Sequence, residues 1–75
     1  MTIEEKVLLL AMRKREPDEG LKEILLMLEN NRVFTFKEGK RLVKKLKEAG
    51  YFHEGELTLK GEAAAAAAEE EFTLR

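Results

Sequence analysis

The sharpest pattern of apolar and polar positions lies in the middle of the chain. Phe36, Gly39, Leu42, Val43, Leu46 and Ala49 recur at steps of three and four, the spacing that places side chains on one face of a helix. Lys37, Lys40, Arg41, Lys44 and Lys47 fall on the opposite face. Thr35 with Glu38 forms a capping-box pair, and Gly50 supplies the C′ position after Ala49, so a helix over about 35–49 is bounded by local chemistry at both ends. Before it, Leu21, Ile24, Leu25 and Leu28 make a stripe of about three turns, opened by Asp18 or Glu19 and stopped by Asn30 or Asn31. The first helix is predicted from residue 3 to about 15, started by the capping pair Thr2 and Glu5 and ended by Pro17. Residues 7–12 are apolar around nearly the whole helix, more than one core-facing stripe requires.

After residue 50 the period changes. Tyr51, Phe52 and His53 read as a short strand, Glu54 and Gly55 as a turn, and Glu56, Leu57 and Thr58 as the returning strand. Thr58 or Leu59 then leads into a last helix over about 59–72, secured by the six alanines of 63–68. The expectation is one domain over 1–75, mostly α with a small β-hairpin, with no repeat and no linker.

Composition narrows the chemistry. The chain has no cysteine, which removes disulfides and thiolate zinc sites, and its N-terminal stretch lacks the apolar run and cleavage site of a secretory signal. Its apolar runs are far shorter than the roughly 20 residues of a bilayer span, so the expected setting is the cytoplasm, without membrane partners. No nucleophile, base and orienting group can be assembled, and the lone His53 beside Glu54 and Glu56 reads as a solvated turn residue. Neither enzyme activity, cofactor nor metal is therefore expected. The formal net charge of −1 hides an uneven distribution. Residues 32–47 carry seven basic side chains against Glu38 alone, while Glu62, Glu69, Glu70 and Glu71 make the last helix acidic. A helix that buries one side and offers cations on the other suits a phosphate backbone. Arg32 can add a phosphate contact at the preceding turn, or can meet the carbonyls that end the second helix. Gly39, inside a helix and on its buried face, points to close packing against the second helix.

The segment LVKKLKEAGYF followed by ELTLKGEAAA resembles MarR-like and PadR-like transcriptional regulators. In that resemblance Leu46, Gly50 and Tyr51 match the end of the recognition helix, and Leu57, Thr58 and Gly61 match the Leu-Thr-x-x-Gly motif that follows the wing, with Thr58 as N-cap. The resemblance covers roughly the last half of the chain and implies a winged helix-turn-helix. Its third helix would enter the major groove of duplex DNA, with a role in transcriptional regulation. The candidate DNA contacts are Arg32, Lys37, Lys40, Arg41, Lys44 and Lys47. The apolar excess of the first helix and the slim last helix suggest a homodimer through Leu8, Leu9, Met12, Ala64 and Ala67. The acidic turn, with Glu54 and Glu56, favours an alternative in which the same fold is a protein-protein interaction module that does not bind nucleic acid.

Overall fold

The computed structural model describes residues 1–73, and the expected mostly helical chain with a small hairpin is what it shows. The order is α1 (Ile3–Arg13), α2 (Leu21–Asn30), α3 (Phe36–Glu48), β1 (Phe52–His53), β2 (Glu56–Leu57) and α4 (Leu59–Thr73). The two strands are antiparallel, with Phe52 opposite Leu57 and His53 opposite Glu56. The two-residue turn between them has positive φ at both Glu54 (50°) and Gly55 (78°), the backbone that matches the twist of a tight hairpin.

Helix starts follow the local chemistry closely. Thr2 and Glu5 exchange both capping bonds at α1, as do Thr35 and Glu38 at α3. At α2 the start differs from the expected Asp18 or Glu19. Gly20 is the N-cap and its N–H donates to the Glu23 carboxylate at 3.1 Å, so one carboxylate three residues inside the helix does the capping. α1 also ends two residues earlier than expected, at Arg13, because the chain turns off before Pro17 is reached. At the ends of α2 and α3, Asn31 and Ala49 are C-caps followed by left-handed residues, Arg32 (φ 62°) and Gly50 (φ 89°). In both, the next N–H reaches back to the third-last helical carbonyl: Val33 to Leu28 and Tyr51 to Leu46, each at 2.9 Å.

Side chains from every helix and from β1 join one buried cluster, in which Leu8, Leu9, Ile24 and Leu46 are fully enclosed. Gly39 is buried as its position suggested. A Cβ there would come within 2.7 Å of the Phe34 ring and 2.8 Å of Leu25, so glycine is what lets α3 approach α2 so closely. Ala49, expected on the same face, is exposed, because the helix has ended there.

The expected dimer surface is corrected by the position of α1. That helix packs against α2, α3, α4 and β2, which bury Leu8, Leu9 and Met12 and leave Val7, Leu10 and Ala11 half-buried. Leu8 and Leu9 are 0% exposed and Met12 is 2% exposed, which leaves nothing of them for a second copy. The alanines of α4 serve the same packing: Ala65 and Ala68 are buried and Ala64 packs against the core, whereas Ala67 faces solvent. Small side chains let α4 lie close against α1, and the ion pairs Lys6–Glu71 and Arg13–Glu62 show that the two helices run antiparallel.

Among the described residues Glu5 is the one charged residue in the buried set, 4% exposed. The Thr2 N–H donating to its carboxylate at 2.7 Å holds Glu5 below the ordinary glutamate range, against the upward push of burial, with help from the Thr2 hydroxyl and Lys45. A carboxylate whose pKa is depressed by folding contributes stability above its unfolded value of about 4.3 and loses it as pH falls through the folded value. Glu5→Gln is therefore expected to cost about 1 kcal/mol at neutral pH, in keeping with a hydrogen bond to a charged acceptor. That difference should shrink toward zero below about pH 4. Urea melts of both proteins across that range measure it.

Candidate nucleic-acid interface

α3 is fixed by packing along its inner side and by hydrogen bonds at its start. On its inner side Gly39 and Leu46 are buried, with Phe36, Leu42 and Val43 half-buried beside them. At its start the Phe36 N–H donates to Glu29 of α2 at 2.8 Å, so the end of one helix caps the beginning of the next. The Thr35 hydroxyl accepts the Glu38 N–H at 3.1 Å, and the Thr35 N–H donates to the Glu38 carboxylate at 2.9 Å, the first cause that holds this carboxyl below the ordinary range.

The far end of α3 meets the start of α4 in a tight corner. The Thr58 hydroxyl donates to the Gly50 carbonyl at 2.6 Å and accepts the Gly61 N–H at 3.1 Å, so one side chain both caps α4 and ties it to the end of α3. The Thr58 N–H bonds the Tyr51 carbonyl at 3.1 Å. Gly61 lies so close to that carbonyl that a Cβ would sit 2.1 Å from its oxygen. Lys60 completes the corner, donating to the Ala49 carbonyl at 2.7 Å with its ammonium 4.6 Å from the centre of the Tyr51 ring. This use of Lys60 had no signal in the sequence, since its partners belong to another element.

Lys37, Lys40, Arg41, Lys44 and Lys47 are all exposed on α3. By helical spacing Lys37, Arg41 and Lys44 sit on the outermost face, while Lys40 and Lys47 lie along the border next to Phe36 and Val43, with Lys40 5.8 Å above the Phe36 ring. Lys45 points elsewhere, pairing with Glu5 at 3.6 Å. Glu48, exposed and four residues after Lys44, adds one negative charge at the C-terminal end of the same helix. Arg32 is exposed on the turn after α2, lining a shallow groove with Leu26 and Met27, and is not part of the α3 row. Its left-handed backbone and its N–H bond to the Glu29 carbonyl make it the terminator of α2.

Several charges outside α3 are paired across the molecule. Besides Lys6–Glu71 and Arg13–Glu62, Glu69 of α4 meets Arg13 at 3.6 Å and Lys14; the Lys14 bond comes first in holding Glu69 below the ordinary range. Arg15 reaches Glu56 in the hairpin at 3.0 Å. None of the five candidate α3 cations has a carboxylate within 4.0 Å among the described residues. His53 and Glu54 at the hairpin tip are exposed and 3.9 Å apart, and no group of three potential metal ligands converges among the described residues. No described helix is long and apolar enough to cross a membrane. Comparison with protein-family models, with curated proteins and with solved structures finds no match for the chain.

Proposed function

We propose that the chain is a small winged helix-turn-helix protein that binds duplex DNA through α3 and acts in transcriptional regulation. α2 and α3 form the helix-turn-helix, the β1–β2 hairpin is a short wing, and α4 closes the domain. The observation that carries the reading is the allocation of charge. Glu62, Glu69 and Glu71 of α4 pair with Lys6, Arg13 and Lys14, while the five cations of α3 stand in solvent with no carboxylate within 4.0 Å among the described residues. Surface ion pairs of this kind contribute little to stability, but they cancel charge locally and leave α3 as the basic face. Lys37, Lys40, Arg41 and Lys44 occupy the first two-thirds of the helix, where a recognition helix approaches base edges and flanking phosphates. The lysines and arginine favour phosphate oxygens, with guanine as the base they can reach. The wing tip carries Glu54, so the wing contributes no phosphate contact.

The test is an anisotropy titration with a random-sequence duplex at several salt concentrations. Five phosphate contacts predict a log-log salt slope of about −4.5, which is roughly a 500-fold loss of affinity between about 50 and 200 mM salt. A flat salt response, or no binding at the lowest salt, rejects DNA as the ligand.

A further inference from the structure

A second feature of α3 lies on its border with α2. Between α2 and α3 runs an open groove of about 470 Å³ lined by Leu21, Lys22, Leu25, Phe36, Lys40 and Val43. Leu25 is buried at its floor, and Leu21, Phe36 and Val43 each leave part of their apolar surface in water. One exposed lysine stands on each wall, Lys22 from α2 and Lys40 from α3, and neither forms an ion pair among the described residues. A phosphate backbone would satisfy the lysines but would gain nothing from the apolar floor between them. We infer that this groove is a docking site for an acidic amphipathic helix of a partner protein, whose apolar side chains cover Leu21, Phe36 and Val43 while flanking carboxylates meet Lys22 and Lys40.

Shape and charge select that occupant. Phe36 and Val43 are seven residues apart on α3, about 10 Å along its axis, which matches two turns of a helix presenting apolar anchors at i, i+3 or i+4, and i+7. Small-molecule sites enclose most of their ligand, and this groove is open along its length, so a small carboxylate would stay largely in water. Cations on both walls admit carboxylates at the flanks of the entering helix and repel lysine or arginine there. Lys40 is shared with the proposed DNA contacts and Lys22 is not, and the peptide is titrated without DNA, so failure of DNA binding leaves the inference standing.

The experiment uses the full chain and a synthetic 16-residue helical peptide with leucines at i, i+3, i+4 and i+7 and glutamates on both flanks. A second peptide carries lysines in place of the glutamates. Two-dimensional NMR is expected to show saturable shifts with the acidic peptide, confined to Leu21, Lys22, Leu25, Phe36, Lys40 and Val43, and none with the basic one. Lys22→Glu combined with Lys40→Glu should weaken the acidic peptide about tenfold or more. Lys14→Glu, a single reversal outside the groove, should alter its affinity less than about twofold, against about threefold or more for Lys22→Glu alone, and circular dichroism should show every variant folded. The inference is overturned by an absence of shifts at about 1 mM peptide, by shifts centred on other residues, or by equal weakening from Lys14→Glu.

Discussion

Replacing Gly61 with alanine is expected to destabilise this protein by at least about 3 kcal/mol. The added methyl would sit 2.1 Å from the backbone oxygen of Tyr51. No rotamer change can relieve that overlap, because the obstructing atom is main chain, and that main chain is tied down by the Tyr51 N–H bond to Leu46 and the Thr58 N–H bond to Tyr51. Alanine would recover about 1 kcal/mol of helix propensity, well short of the cost of forcing α4 off the corner. For a domain of this size the loss corresponds to a fall in melting temperature of about 12 °C or more. Thr58→Ala, which removes the cap and the bond to Gly50 but creates no overlap, should cost only about 1–2 kcal/mol. Thermal melts followed by circular dichroism compare the two. Gly61→Ala melting within about 2 °C of the parent would show that the corner can open freely, contrary to its hydrogen-bonded geometry.

The second large effect is expected in solution binding. Lys40→Glu combined with Lys44→Glu removes two of the five unpaired α3 cations and replaces them with charges that repel phosphate. Affinity for duplex DNA should drop about a hundredfold at about 50 mM salt, and the log-log salt slope should become shallower by about two to four units. Both side chains are exposed and neither pairs with a carboxylate among the described residues, so the fold should survive intact. Reversing Lys14 in place of Lys44 is the matched control, since its charge is already engaged by Glu69. Equal losses from the two pairs would mean that total charge, not the α3 row, governs binding. No loss from either would remove the proposed role of α3.

Much of the site could be read from the chain because its determinants lie within a few residues of one another. The capping pairs Thr2 with Glu5 and Thr35 with Glu38, the left-handed Gly50, the Glu54-Gly55 turn and the Thr58 cap each close over two to four positions. The cationic row on α3 follows in the same way from helical spacing. The start of α2 was less legible, since three carboxylates compete there and only the folded backbone decides that Glu23, rather than Asp18 or Glu19, does the capping. Ala49 shows the limit of periodicity: it continues the apolar spacing of α3 but falls after the last helical residue, where no neighbour covers it.

The number and kind of elements, their boundaries to within a residue or two at most ends, and the charged face of α3 can all be read along the chain. These are local matters of capping, propensity and period. It took the folded chain to show that Leu8, Leu9 and Met12 of α1 are buried within it, that Ala65 and Ala68 of α4 are buried with them, and that Glu62, Glu69 and Glu71 meet Lys6, Arg13 and Lys14 rather than α3. Those outcomes depend on pairs such as Lys6 with Glu71, which are 65 positions apart and whose meeting no local pattern encodes.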